Sequence, residues 1–346
     1  MSVHSKPLYL ITGNEGFNYF RDDPRIVTLG TDHDGAMNIF LRILKYTLLQ
    51  IRISHLLLKI NKKCDLFIFF LGGEDLVFPM IIAKIFKKKV VVIFSGSSVH
   101  TLYYDNLVFG LKILTNINCT LCYKIVLYSE RLIKEWNLER YQNKILIAQN
   151  HIVDLSNFRV ETPLSERPPL IGYFGRLSKE KGIINFIQSL PILLQRLPEL
   201  QVIIGGNGAQ YQYIMTYIDE NNLTDHVKII GWVPHKDLPK YLNGLRLVVI
   251  PSYTEGLPNI MLEAMACGTP VLTTLVGAIP DVIQDGITGF IMTDNSPECI
   301  AENITRAIQS ADLGNVGKNG EFFVQNNYSL EEVTKKWKWV VNDIRY

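Results

Sequence analysis

The stretch Leu247-Val-Val-Ile-Pro-Ser-Tyr-Thr-Glu-Gly-Leu-Pro-Asn-Ile-Met-Leu-Glu-Ala-Met-Ala-Cys-Gly-Thr-Pro-Val-Leu272 decides how this chain folds. Leu247 to Ile250 reads as a short buried strand, closed by Pro251. A polar turn, Ser252 to Gly256, follows. Pro258 stands at what reads as the first position of a helix, where its missing N–H costs nothing. The helix passes Met261, Glu263 and Met265 and stops at Gly268, with Pro270 just beyond. Val271-Leu272 resumes the sheet. This order puts Glu255 at the carboxyl end of a strand and Glu263 on the opening turns of a helix, the edge where open α/β sheets bind ligands. A helix N-terminus suits a phosphate. A carboxylate one turn further in suits neighbouring hydroxyls, as on a ribose. Taken singly, each Glu is more simply a solvated charge; the spacing, the intervening Gly-Leu-Pro and the strand–helix context favour a site.

The same alternation extends in both directions. Towards the N-terminus, strands are expected at Leu8–Thr12, Arg25–Leu29, Asp65–Leu71, Val90–Phe94, Ile125–Tyr128 and Lys144–Ala148, with helices between all but the first two, where Gly13-Asn-Glu-Gly16 reads as a loop. The run 155–169, with Pro163, Pro168 and Pro169, reads as a linker. Beyond it the alternation restarts with strands at Leu170–Phe174, Gln201–Ile204 and Val227–Ile230, and it ends in helices at Pro297–Ser310 and Leu330–Arg345. The expectation is an α/β protein of two doubly wound, Rossmann-like domains facing a central cleft. Residues 1–160 form the first, 161–328 the second, and 329–346 a C-terminal helix packing back towards the first.

Two further strand ends in the second half carry candidate chemistry. Gly175-Arg176-Leu-Ser-Lys-Glu-Lys181-Gly182 leaves one strand and opens a helix. Arg176 offers a planar fork of donors and Lys181 a point charge, a pair suited to clamping a diphosphate. A loop of solvated charges is the plainer alternative. Gly231-Trp232-Val233 follows another strand and reads equally as the rim of a base pocket or as core. Gly205-Gly206-x-Gly208 is a weak nucleotide signal. The seven histidines show no metal-ligand spacing and read as loop residues, although His33 and His100 follow strand ends.

Composition sets outer bounds. A chain of 346 residues with 47% hydrophobic content holds two ordinary cores. Residues 1–160 hold 20 Lys and Arg against 13 Asp and Glu, and the remainder hold 15 against 20. A basic first half suits an anionic partner such as a membrane surface. The helical pattern from Ala36 to Lys59, with Arg42, Lys45, Arg52 and Lys59 among its apolar residues, reads either as an ordinary surface helix or as one that lies on a membrane. Five cysteines, with Cys119-x-x-Cys122 lacking a second pair, point to a reducing compartment. Met1 to Lys6 lacks an apolar leader core, and no apolar run reaches the ~18 residues of a spanning helix. A cytoplasmic location, peripheral at the inner face of the membrane, is expected.

Glu255-Gly-Leu-Pro258, with Glu263 eight residues after Glu255, resembles the E-x7-E signature of retaining GT-B glycosyltransferases, and most of all glycosyl transferases family 4, the group 1 type. The likeness covers most of the second half: Gly175-Arg176 with Lys181-Gly182, Gly205-Gly206, Gly231-Trp-Val-Pro234, Pro251-Ser252, Ala266-Cys-Gly-Thr-Pro270 and Asp285-Gly286-x-x-Gly289. In the first half only the βα pattern agrees. The resemblance implies a hexosyltransferase moving a sugar from a UDP- or GDP-sugar to a glycan or lipid-linked acceptor, in cell-surface polysaccharide or glycolipid synthesis. It implies Arg176, Lys181 and Glu255 as catalytic residues. Gly175, Gly231, Trp232, Val233, Gly256, Leu257, Pro258, Asn259 and Glu263 would bind the donor. Neither a divalent metal nor nucleic acid is implied. Ser95-Gly96 stands where many relatives have His-Gly, and Gly277-Ala-Ile-Pro-Asp281 where they have Gly-Gly-x-x-Glu. A sugar-nucleotide epimerase of the same architecture and a non-catalytic nucleotide-sugar-binding subunit are the alternatives.

Overall fold

A computed structural model describes residues 8–31, 39–70, 73–94 and 105–345. The motifs Asp32-His33-Asp34 and Ser95-Gly96, together with Ser97 and His100, lie outside them. The described chain forms two compact units. One comprises the described residues up to 94, 105–127 and Glu139–Leu146; the other comprises Tyr128–Leu138 and the chain from Ile147 onward.

The first unit opens with strand β1 (Leu8–Thr12), helix α1 (Asn14–Phe20) and strand β2 (Ile26–Gly30). β1 and β2 pair in parallel. Helix α2 (Ile39–Ile60) follows, then β3 (Leu66–Phe70), α3 (Val77–Ile85), β4 (Lys89–Ile93), α4 (Asp105–Leu121) and β5 (Lys124–Leu127). Strand β6 (Ile145–Ile147) completes a sheet of order β3-β4-β5-β6. The apolar run in β4 is buried on both faces, as parallel strands between helices require. Cys119 and Cys122 are buried in helix packing, with burial pushing the Cys122 thiol up to about 11. None of the five cysteines is disulfide-bonded.

The second unit contributes α5 (Arg131–Glu135), then β7 (Leu170–Phe174), α6 (Ile183–Arg196), β8 (Gln201–Gly205), α7 (Tyr211–Glu220) and β9 (Val227–Gly231). It continues with α8 (Leu238–Leu242), β10 (Leu247–Ile250), α9 (Asn259–Ala266), β11 (Val271–Thr274), β12 (Phe290–Met292), α10 (Pro297–Ile308), α11 (Leu313–Tyr328) and α12 (Leu330–Arg345). Its six strands run parallel in the order β12-β11-β10-β7-β8-β9. Counted within the unit this is the doubly wound order 3-2-1-4-5-6, whose direction reverses between β7 and β10. One face of the sheet packs Ile171, Val202, Leu247 and Leu272 against Phe186 and Leu190 of α6 and Ile300 and Ile304 of α10.

The run 155–169, read as a linker, is stitched into this unit. Arg167 is 4% exposed. Its guanidinium donates to the carbonyls of Thr162, Leu242, Leu245 and Cys267 and to Thr269 Oγ1, at 2.6 to 3.3 Å. Asn243 Oδ1 accepts from the Glu161 N–H at 2.7 Å. Proline-rich composition marks irregular backbone, and here a buried arginine ties that run to the chain around α8 and α9 through the Leu242, Leu245 and Cys267 carbonyls. α12 docks within the same unit, where Trp337 Nε1 donates to the Gln149 carbonyl at 2.8 Å.

Two helices have no counterpart in the sequence reading. Asn14-Glu-Gly16 reads as a loop and opens α1 instead. α11 carries Gly314, Gly317 and Gly320, which weaken helix propensity. Packing explains two of them: a Cβ on Gly317 would lie 2.5 Å from the Gly268 carbonyl oxygen, and one on Gly320 3.1 Å from that of Thr288.

Candidate functional site

The β7/β10 switch point is flanked by the loops that leave those two strands. The first runs from Gly175 to Gly182 and contains a short 3-10 turn, Lys179–Lys181. The second runs from Pro251 to Pro258. They touch because Gly182 takes φ +68°; a Cβ there would sit 1.9 Å from the Pro251 carbonyl oxygen. The Tyr253 N–H donates to the Glu180 carbonyl at 2.9 Å. A third loop, after β11, joins them at Gly277, whose φ is +57° and whose Cβ would lie 2.2 Å from the Glu255 carbonyl oxygen. Ala278 N–H donates to the Gly256 carbonyl at 2.9 Å.

This packing fixes Glu255. One carboxylate oxygen accepts from Ser252 Oγ at 2.7 Å and the other from Lys181 Nζ at 2.8 Å. The side chains of Lys181 and Glu255 are 25% and 10% exposed. A half-buried ammonium is thus held next to an almost buried carboxylate, each compensating the other's desolvation. Arg176 behaves differently. Its backbone is pinned, with Tyr173 Oη donating to its carbonyl at 2.8 Å, but its guanidinium is 72% exposed and 3.6 Å from Glu180. Burial pushes the Glu180 carboxyl up, but the Ser178 hydroxyl, a backbone N–H, Arg176 and Lys181 outweigh it and hold the group below its ordinary value.

Glu263 is the fifth residue of α9 and is 8% exposed, so it is no solvated helix residue. It is hydrogen-bonded to His235 Nε2 at 2.8 Å. His235 stands in a 3-10 turn after β9 and its ring lies 5.0 Å from that of buried Phe158. Pro258 caps α9 rather than occupying its first position, which is Asn259. Leu257 and Pro258 are buried and Asn259 is exposed. The helix ends as its sequence requires: the Thr269 N–H reaches the Ala264 carbonyl and the Gly268 N–H the Met265 carbonyl, both at 2.9 Å, with Gly268 left-handed.

The ends of β7, β8 and β9 are tied together. Gly175 N–H donates to the Gly205 carbonyl at 3.0 Å and Gly206 N–H to that of Gly231 at 2.7 Å. Trp232 is 68% exposed, which rules out the core reading, and Val233 is half-buried.

Several groups here were not singled out from the sequence. Ser252, Glu180 and His235 position the charged residues just described. Tyr128 and His151 form an edge-to-face ring pair with centroids 5.3 Å apart. Tyr128 Oη, His151 Nδ1 and Thr254 Oγ1 are buried without a hydrogen-bond partner among the described residues. Burial, and then the charges of Glu135, Glu255 and Asp281, push the Tyr128 hydroxyl up. Burial pushes His151 down against a backbone hydrogen bond with Leu257. Asp281 is itself held by Ser129 Oγ and by Arg131 Nε, the latter at 2.8 Å. Buried polar groups are normally satisfied, so three such groups around the Thr254–Leu257 loop suit a ligand rich in hydroxyls. A histidine following Gly231-Trp-Val-Pro234 was a signal available for His235; Tyr128 and His151 come from distant strand ends and offered none.

Residues 155–321 match the family described as Glycosyl transferases group 1. The capsular polysaccharide biosynthesis glycosyltransferase CapM of Staphylococcus aureus is 30% identical over 177 residues, 50% of this chain and 46% of CapM. The alpha-D-kanosaminyltransferase of Streptomyces kanamyceticus is 27% identical over 180 residues, 51% of this chain and 47% of that protein. The chain thus spans about half the length of the curated relatives it matches. Among solved structures, Anabaena HepE in complex with UDP aligns with a TM-score of 0.77 at 16% identity, over 97% of this chain and 100% of that one. A point mutant of S. aureus TarM, solved with Fondaparinux, alpha-GlcNAc-glycerol and UDP, aligns with a TM-score of 0.70 at 19% identity, over 86% of this chain and 59% of that one. These likenesses show the fold class, mixed α/β with parallel sheets, as in GT-B proteins.

Proposed function

We propose that this chain is a glycosyltransferase of the group 1 type, which moves a hexose from a UDP- or GDP-sugar to a glycan or lipid-linked acceptor in the synthesis of a cell-surface polysaccharide or glycolipid. The observation that carries the proposal is the Lys181–Glu255 pair at 2.8 Å, set beside the N-terminus of α9 at the β7/β10 switch point. A diphosphate at this edge meets Lys181, the exposed Arg176 fork and the opening N–H groups of α9. These are positive groups fixed where negative charge grows as the bond from sugar to phosphate breaks. In this reading Glu263 accepts from the ribose hydroxyls and His235 holds its carboxylate in place. Gly231, Trp232 and Val233 meet the base. Glu255 and the backbone of Gly256 to Asn259 position the sugar, and Tyr128, His151 and Thr254 supply further partners for its hydroxyls.

The proposed reaction keeps the anomeric configuration. The acceptor oxygen bonds to the anomeric carbon on the face from which the diphosphate leaves, and its proton passes to the departing phosphate oxygen. Arg176 and Lys181 take the charge-stabilising role, so no divalent cation is part of this proposal; activity that EDTA abolishes and Mn²⁺ restores would contradict it. Five cysteines outside any disulfide suit a cytoplasmic setting. CapM and HepE support the proposal through what their names state, capsular polysaccharide biosynthesis for one and a complex with UDP for the other. A panel of UDP- and GDP-sugars, screened for thermal stabilisation of the protein, tests it. Stabilisation by one nucleotide sugar, and its slow hydrolysis, is expected; stabilisation by none would overturn the reading.

A further inference from the structure

Helix α2 carries two apolar faces. One packs inward through Gln50, Leu57 and Ile60, with Gln50 Oε1 accepting from the Phe78 N–H of α3 at 3.0 Å. At 100° per residue, Phe40, Leu44, Leu48, Ile51 and Leu58 fall on the opposite side, and they are 42% to 79% exposed. A helix in an ordinary soluble domain turns charged residues outward there. Here the span Ile39–Ile60 contains no Asp or Glu, while Lys45, Arg52 and Lys59 run along one flank of the exposed stripe. The adjoining α3 repeats the pattern with Phe78, Ile81 and Ile85, also exposed and at helical spacing.

The charge around this face is predominantly basic. Lys62 and Lys63 follow α2 directly and are exposed. The parallel register Leu66↔Lys89 brings the turn Lys87-Lys88-Lys89 to the same amino edge of the sheet. Asp65 sits on that edge too, and it tempers the cluster without cancelling it. Exposed apolar surface of this extent marks a partner. The cations select the kind of partner, because a two-fold contact of this face with itself brings like charge towards like. We infer that the outer face of α2 and α3 lies on an anionic membrane surface, with the apolar stripe at the headgroup boundary and the lysine edge over anionic headgroups. No described helix is long and apolar enough to cross a membrane, so the contact is peripheral.

The experiment mixes the full chain with vesicles of phosphatidylcholine alone, or of phosphatidylcholine containing about a third phosphatidylglycerol, at low and high salt. Binding to the anionic vesicles only, weakening as salt rises, is expected. The triple variant Leu44→Ser, Leu48→Ser, Ile51→Ser should lose about tenfold or more in vesicle affinity, with an unchanged melting temperature showing that it folds. A second variant, Lys62→Glu with Lys63→Glu, should weaken anionic binding without touching the apolar stripe. Absent binding, equal binding to neutral vesicles, or a dimer that the triple variant dissolves would overturn the inference. The assay contains no nucleotide sugar, so its failure leaves the transferase proposal standing, and failure of the donor screen leaves this one standing.

Discussion

The loops at the β7/β10 switch point and the outer face of α2 both concentrate charge, but in opposite ways. At the switch point each acidic group has a partner: Glu255 has Lys181 and Ser252, Glu263 has His235, and Glu180 has Ser178. Glycines let three loops press together until the Glu255 side chain is only 10% exposed. On α2 the lysines and arginine stand beside exposed leucines and isoleucines, with no acidic residue in the helix. The first arrangement is preorganised, suited to a small ligand whose charge changes during reaction. The second offers area and a net charge, suited to a broad surface. Substitutions at the first should therefore change affinity and turnover at fixed geometry, while those at the second should change only where the protein goes.

The strongest challenge to this contrast is to loosen the frame behind the switch point. Arg167→Met removes a buried donor shared by four carbonyls and should cost about 3–5 kcal/mol in urea unfolding of the second unit. A cost below about 1 kcal/mol would mean that the 155–169 run is as loose as its prolines suggest. Next comes Glu255→Gln, which keeps the shape and removes the charge facing Lys181. Turnover should fall about a hundredfold or more with little change in melting temperature; an unchanged kcat would remove Glu255 from the site. Glu263→Ala should weaken nucleotide-sugar binding about tenfold or more, as loss of hydrogen bonds to a charged acceptor does. His235→Ala should cost less, since His235 is 69% exposed and acts only through Glu263. Equal losses in the two variants, read by calorimetric titration, would place His235 on the ligand itself.

The smallest effect concerns acid stability. Arg306 grips Asp285 with two hydrogen bonds at 2.9 and 3.0 Å. Burial pushes the Asp285 carboxyl up, but Arg306 and the Ile291 N–H outweigh it, so the folded group titrates below 3.8. Folding is then helped above 3.8 and loses that help as pH falls through the lower, folded value. Arg306→Ala should lower the melting temperature slightly near neutral pH and leave it unchanged in strong acid. A difference that persists in strong acid would assign the effect to contacts that do not need the Asp285 charge, the Arg306 donation to the Ile291 carbonyl at 2.9 Å and its packing on the Phe290 ring, 5.4 Å away.

What could be read from the sequence follows the same division. Strand and helix positions in the second unit were legible because continuous apolar runs alternate with capped helices, down to the Gly268 stop. Glu255, Glu263 and Lys181 were legible as residues, because turn glycines and a strand–loop–helix context surround them. Their partners were not. Ser252 meets Glu255 only through the shape of the turn between them, and His235 and Tyr128 come to the site through tertiary packing. α11 was hidden because Gly317 and Gly320 answer to a neighbouring backbone and not to helix propensity. The run 155–169 misled for a related reason, since the arginine that rigidifies it is one charged residue among prolines. On α2 the period was plain, but which face is buried depends on α3.

The central claim is that the switch-point edge of the second unit holds a nucleotide-diphosphate sugar. Its most direct test is calorimetric titration of wild type, Glu255→Gln and Glu263→Ala with the nucleotide sugar that stabilises the protein and with the corresponding free nucleoside diphosphate. Glu263→Ala should weaken both ligands alike, because it removes a ribose contact. Glu255→Gln should weaken the nucleotide sugar more than the diphosphate, because it removes a sugar contact. Identical affinities in all three proteins would place the donor elsewhere.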